Sequence, residues 1–291
     1  MTNKKQTMLR LGIFLLIAFS LTWIPHYICL HIFGYEDWLT SAFGVIVTLT
    51  MYAPMLGNIL TRLMTKEGFR DLKLRFRLKG SLRYYAIPFL TEFLIMVMIV
   101  IIINCTHGNW KFEALAEASM PDVISELLLM LMMPLFYIAL PCFGEEFGWR
   151  GYLNPKLEQL TGTCGAVILG GIIWGLWHAP LVAAGYNFGS GHPALSVLLM
   201  CISCVFVNAV LFWLTKKTDS VFPAVLLHSI MDLNVQTFAI QYFTGGISEE
   251  TVKKTTALQG GLLGMVIPYV IIGTVFFILL LRQRTKKKIG N

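Results

Sequence analysis

Eight apolar runs decide what this chain can fold into. They lie near residues 10–33, 41–63, 84–104, 122–148, 165–186, 193–215, 221–243 and 261–282. Each is long enough, or nearly so, to cross about 30 Å of hydrocarbon as a helix. Lipid leaves no other partner for backbone N–H and C=O groups, so such runs become helices. Only 13% of the 291 residues are charged, against about 25% for a soluble domain. The reading is an all-α, polytopic transmembrane helical bundle of about eight helices. The seventh run is the least apolar, with Pro223, His228, Asp232, Asn234 and Gln236 inside it. No internal repeat or linker divides the chain, so residues 1–291 read as a single transmembrane domain.

The loops orient the bundle. With the N-terminus inside, the inner segments hold 20 of the 23 Lys and Arg residues, and Lys111, Lys253 and Lys254 remain outside. That asymmetry predicts both termini in the cytosol. The basic stretch from Arg62 to Arg83 reads as a topology determinant, with an interfacial amphipathic segment as the alternative. The net charge of +7 is concentrated in these short loops, which argues against nucleic acid as a partner. The short loops and basic inner face suggest a multi-pass plasma membrane protein of bacterial type. The run from Leu11 past Trp23 shows no small-x-small cleavage site and reads as a retained first span. Cys201 and Cys204 are spaced like a redox or metal pair, but inside an apolar run they read as packing.

Against this background the polar groups inside the runs stand out. The apolar stretch Leu127–Phe143 leads into Gly144-Glu145-Glu146-Phe147-Gly148-Trp149-Arg150-Gly151. An acidic residue at the centre of a membrane helix costs roughly 2.5–3.5 kcal/mol on insertion scales. Glu146 and Arg150 are spaced i,i+4 and can pair at the helix's inner end, while Glu145 is turned about 100° away. One carboxylate is then held ionised and the other is free to act as acid or base. Gly144, Gly148 and Gly151 leave room for a close neighbour. Trp174 and His178 share a face of the fifth helix, and His228 and Asp232 share a face of the seventh. Asn208 reads as an interhelical hydrogen bond, and Glu92 is an intramembrane acid with no evident partner in sequence. Two Glu, one Arg, two His and one Asp on three helices of one bundle are expected to converge on a shared cavity. Their chemistry suits hydrolysis, with a carboxylate to take a proton from water and imidazoles to position it or stabilise an oxyanion. No Ser or Cys has a nucleophile's setting.

In order and spacing, Glu145-Glu146-x-x-x-Arg150, Trp174-x-x-x-His178 and His228-x-x-x-Asp232 resemble the three motifs of the CAAX prenyl protease 2-like and bacteriocin-processing membrane proteins, the CPBP or Abi family. The motif-bearing half is residues 122–243. The resemblance implies an intramembrane glutamate-dependent endopeptidase that needs no metal or other cofactor. It implies Glu145 as general base, His178 assisting on the water, His228 and Asp232 on the oxyanion side, and Glu146 and Arg150 in orienting or structural roles. The family's second motif usually opens with Phe where this chain has Trp174, and its last position is often Asn where this chain has Asp232. An ionised Asp cannot donate to an oxyanion, so Asp232 either carries a proton or orients His228; the second is favoured.

Two alternatives stay open. Glu145, His178 and His228 would make a zinc ligand set, two His and a Glu, converging from three helices. A non-enzymatic membrane protein, a transporter or an immunity protein, would use the same buried groups as a proton relay or a binding site. The partners implied are the lipid bilayer and a peptide or lipidated protein substrate, either a prenylated C-terminal peptide or a peptide precursor such as a bacteriocin. The sequence leaves the oligomeric state unknown.

Overall fold

The computed structural model describes residues 4–35, 42–76, 78–107, 119–136, 139–233 and 257–289. The described residues are helical, apart from turns and one isolated bridge between Leu74 and Ser220. The elements are α1 (Lys4–Phe33), α2 (Ala42–Thr50), α3 (Ala53–Met64), α4 (Leu82–His107), α5 (Met120–Phe136) and α6 (Ala139–Gly148). A π-helical turn (Trp149–Leu153) leads into α7 (Asn154–Trp177). There follow α8 (Ala179–Ala184), α9 (Pro193–Thr218), α10 (Phe222–Asp232), α11 (Ala257–Gly261), a second π-helical turn (Leu262–Val266) and α12 (Ile267–Ile289). This is an all-α, multi-pass membrane architecture.

Five helices among the described residues are long and apolar enough to span, or six if α2 and α3, bent by 41°, make one span. The difference from the eight expected runs has physical causes. The 39-residue helical run Ala139–Trp177 would be roughly 58 Å long if straight, too long for one crossing. Gly162, at φ 74° and ψ 178°, breaks it into two arms that match the fourth and fifth expected runs in order. The described part of the seventh run is 221–233, of which the 11 residues of α10 are helical. The rest of that run, and most of the loop that follows, lie outside the described residues.

The Glu145–Arg150 cluster does not end a helix at the inner boundary, as its sequence suggested. The chain stays helical through the π turn, and Arg150 is completely buried. The segment after α3 is also more than a topology signal. Glu67 accepts a hydrogen bond from Tyr152 Oη at 2.9 Å and pairs with Arg10 at 3.4 Å and with Lys156. Arg62 Nη1 pairs with Asp71 at 2.6 Å, and Arg62 Nε donates to Asn58 Oδ1 at 2.7 Å. Asn58 Nδ2 in turn donates to the Phe147 carbonyl at 2.9 Å, just before the π turn. This polar network ties α1, α3 and the start of α7 together beside the site-bearing helix.

Small residues set the helix spacings. A Cβ on Gly144 would lie 2.7 Å from the Met51 carbonyl, and one on Gly148 would lie 2.6 Å from the Pro54 carbonyl. α6 therefore packs directly on the α2–α3 bend, the close approach its glycines suggested. Asn208 holds α9 to α7, accepting from Asn154 Nδ2 at 2.5 Å and donating to the Val167 carbonyl at 2.9 Å. That is the interhelical role expected of it. Glu92, unpartnered on sequence grounds, accepts from Tyr269 Oη of α12 at 3.0 Å. Cys201 and Cys204 are buried free thiols. Leu9, Leu16, Ile24, Ile28 and Ile32 leave one side of α1 apolar and exposed, as lipid contact requires.

Candidate active site

Each acidic residue of α6 meets a different set of partners because consecutive helical residues diverge by about 100°. Glu146 Oε1 accepts from Arg150 Nη1 at 2.8 Å, one turn on, and both side chains are completely buried. The same oxygen accepts from His228 Nδ1 of α10, also at 2.8 Å. Glu145 Oε2 accepts from two indoles, Trp174 Nε1 at 2.8 Å and Trp149 Nε1 at 3.2 Å. The Trp174 ring also covers the Arg150 guanidinium, whose carbon lies 4.0 Å from the ring centroid. One indole thus donates to the first carboxylate and stacks on the cation that neutralises the second.

His178 sits at a helix break with a local cause. Pro180 has no N–H to continue the hydrogen-bond ladder, so α7 ends at Trp177 and α8 begins at Ala179. His178 Nδ1 lies 2.9 Å from the Trp174 carbonyl. A carbonyl only accepts, so Nδ1 carries the proton and Nε2 of the neutral ring keeps its lone pair. The Trp177 ring packs edge-on against this imidazole, with centroids 4.8 Å apart. In His228 the assignment runs the same way: Nδ1 donates to the Glu146 carboxylate and Nε2 points to the Asp232 side.

Asp232 Oδ1 stands 3.7 Å from His228 Nε2, beyond hydrogen-bond length, and its other oxygen accepts from Cys142 Sγ at 3.3 Å. The hydrogen bond that orients the His228 ring is thus the one to Glu146 through Nδ1, and Asp232 faces the other nitrogen as an ion-pair partner. Ser229, the neighbour of His228, donates its hydroxyl to the Val225 carbonyl at 2.7 Å, so it is engaged with its own helix.

Glu145, His178, His228 and Asp232 all line one cavity of about 80 Å³. That is room for a few water molecules. Glu146, Arg150, Trp174 and Asn208 do not line it. The first three support its wall from behind, and Asn208 belongs to the α7–α9 contact. The cavity also takes residues from the half of the chain that carries no motif, His26 from α1 and Val47, Thr50 and Met51 from α2 and its bend, and it takes Leu181 of α8 and Tyr186 just after it. Sequence reasoning passed over His26 because a single His in a long apolar run is weak. The usable signal was its place four residues after Thr22 on a polar-marked stripe of α1.

The site also contains a group with metal-ligand chemistry. Ligand atoms of Cys142, His228 and Asp232 all lie within 4.8 Å of one another. Among the described residues this is the trio so placed, and it differs from the Glu145, His178 and His228 set that the sequence suggested for zinc.

Residues 126–234 match the model of a protein family described as Rce1-like, type II CAAX prenyl endopeptidase. Over 110 residues the chain is 31% identical to the CAAX prenyl protease 2 of Methanococcus maripaludis, covering 36% of this chain and 41% of that protein. The match therefore spans about two-fifths of the length of that curated relative. The matched segment contains all three motifs, and the similarity to CAAX prenyl protease 2-like proteins read from them is borne out over that segment. α1 to α4, and His26 with them, lie outside it.

Proposed function

We propose that this chain is an intramembrane endopeptidase that hydrolyses a peptide bond with water activated by Glu145. The observation that carries the proposal is the convergence of Glu145 from α6, His178 from the α7–α8 break, and His228 and Asp232 from α10 on one small, mostly buried cavity. The partition of the two carboxylates supports it further. Glu146 is engaged by Arg150 and His228, whereas Glu145 lines the cavity.

In this reading Glu145 takes a proton from water as the oxygen attacks the scissile carbonyl. His178 Nε2 accepts a second hydrogen bond from that water and fixes its direction. The developing oxyanion meets His228 Nε2–H when the ring is doubly protonated, with Glu146 and Asp232 balancing the charge. Glu145 then passes its proton to the leaving amine as the C–N bond breaks. Asp232 lines the cavity beside His228 and donates nothing to the oxyanion in this scheme. The substrate class follows the name of the archaeal relative: a membrane-associated peptide carrying a prenylated cysteine near its C-terminus. A non-lipidated peptide precursor is the alternative. The membrane proposed is the plasma membrane.

The test is cleavage of an internally quenched, farnesylated CAAX peptide by the purified chain in lipid vesicles. Glu145→Gln keeps size and most hydrogen bonding but removes the base, and is expected to lower kcat about 10²- to 10⁴-fold. Equal activity in the two proteins would sink the mechanism. Peptide binding without cleavage by the wild type would favour a non-enzymatic role.

The Cys142–His228–Asp232 convergence favours one second reading, a zinc protease. A soft N, S, O ligand set with an open fourth position suits catalytic zinc, and Glu146 behind His228 supplies the carboxylate–histidine support such sites use. Loss of activity on chelation, restored by Zn²⁺ and abolished by Cys142→Ser, would select it over the metal-free scheme.

A further inference from the structure

We infer that His26 is a substrate-binding residue of this cleft, its Nδ1 accepting a hydrogen bond from a main-chain N–H of the bound peptide. The inference rests on the endopeptidase reading.

The buried stripe of α1 runs through Leu11, Phe14, Ala18, Thr22, His26 and Cys29, at the three- and four-residue spacing of one helix face. Two hydrogen bonds fix that face against the end of α7. Trp177 Nε1 donates to Thr22 Oγ1 at 2.8 Å, and Trp23 Nε1 donates to the Trp177 carbonyl at 3.1 Å. This attachment sets His26, one turn beyond Thr22, into the wall that also holds His178.

The proton positions on His26 follow from Thr50. His26 Nε2 lies 2.9 Å from Thr50 Oγ1, and that hydroxyl donates its only proton to the Val47 carbonyl at 2.7 Å. Thr50 must then accept from His26, so Nε2 carries the hydrogen and Nδ1 is a lone pair. His26 is 2% exposed, and no donor among the described residues reaches Nδ1. A buried acceptor left in that state destabilises a fold, and packing alone would be served by an apolar side chain. His26 lines the cavity, and its buried Nδ1 is a group in want of a donor.

A main-chain N–H is the donor that suits it. A peptide drawn into an apolar cleft must have its N–H groups satisfied there. Glu145, His178, His228 and Asp232 are engaged by the reaction itself, and Val47, Met51 and Leu181 are apolar. Thr50 Oγ1 already accepts from His26, whereas His26 Nδ1 is an acceptor that neither the described residues nor the chemistry uses.

The test separates the two ring nitrogens. An amide at His26→Gln reaches the position of Nε2 and keeps Thr50, whereas His26→Asn places its amide oxygen near Nδ1. Each change is made in the Glu145→Gln background, and the Kd for the farnesylated CAAX peptide in vesicles is measured by fluorescence anisotropy. KM and kcat are measured for the same changes in the active chain. His26→Gln and His26→Leu are expected to raise Kd and KM about 3- to 10-fold with kcat within about twofold, and His26→Asn to restore most of the affinity. Unchanged Kd in His26→Gln and His26→Leu, with unaltered thermal melting, overturns the inference. A loss confined to kcat also overturns it, because the lone pair would then serve the water. If the wild type binds the peptide without cleaving it, the endopeptidase reading fails separately. If the peptide does not bind at all, both fail.

Discussion

Trp174 Nε1 donates a 2.8 Å hydrogen bond to Glu145 Oε2, and the same indole lies 4.0 Å from the guanidinium carbon of Arg150. The position that opens the second motif therefore touches both charged parts of the first. Phe, the residue usual at this position in the family that the motifs resemble, would keep the stacking and lose the donor. Trp174→Phe is expected to leave the protein folded and to reduce kcat by about 10- to 100-fold, since Trp149 still holds the carboxylate and a hydrogen bond to a charged group is worth about 1.5–3 kcal/mol. Steady-state cleavage alongside Glu145→Gln measures this. A Trp174→Phe loss as deep as that of Glu145→Gln would mean the indole N–H is itself indispensable.

Glu146→Gln should damage the fold as well as the rate. It leaves the fully buried Arg150 without its anion and takes the carboxylate from His228 Nδ1. Removing one partner of a buried pair typically costs about 3–5 kcal/mol. A thermal melt in detergent should show a markedly lower midpoint than for Glu145→Gln. An unchanged midpoint with abolished cleavage would mean that Glu146 is the base and Glu145 the supporting carboxylate.

Gly148→Ala tests the seat of α6 on the α2–α3 bend. The added methyl would meet the Pro54 backbone, whose carbonyl lies 2.6 Å from the new Cβ position. Overpacking of this kind costs about 1–3 kcal/mol. The cavity draws on both elements, so activity should fall together with the melting midpoint. A variant as stable and active as the wild type would show that the bend yields at little cost.

Asp71 predicts an acid-side loss of stability. Partial burial pushes its carboxyl upward, but the Arg62 hydrogen bond and charge outweigh that and hold it below the usual range. A carboxyl with a lowered folded-state pKa contributes stability above its unfolded value and loses it as pH falls through the folded value. The melting midpoint should therefore drop on acidification from about pH 4 downward, and Asp71→Asn should flatten that part of the profile. Identical profiles for the two proteins would remove the pair from the stability balance.

Membrane topology offers a check that does not depend on activity. Reporter fusions at Lys216 should read as cytosolic and fusions at Asn187 as external, following the distribution of basic residues. The reverse pattern would place both termini outside the cytosol.

Residue order alone determined the all-α membrane architecture and the set of polar groups that matter. Apolar runs force helices because lipid satisfies no backbone group, and costly residues such as Glu145, His178 and His228 are legible because hydropathy exposes them. The i,i+4 pairing of Glu146 with Arg150 was legible too, since it lies within one helix. Tertiary structure alone decided the contacts between helices. It placed Glu146 on His228 Nδ1, because α6 and α10 pack in a register no local pattern encodes. It carried the helix past Arg150 through a π turn, where Asn58 from a distant helix meets the Phe147 carbonyl. It also brought His26 and Thr50 from the motif-free half to the cavity wall. A lone histidine in an apolar run acquires chemical meaning only when another helix fixes its proton and leaves its second nitrogen without a donor.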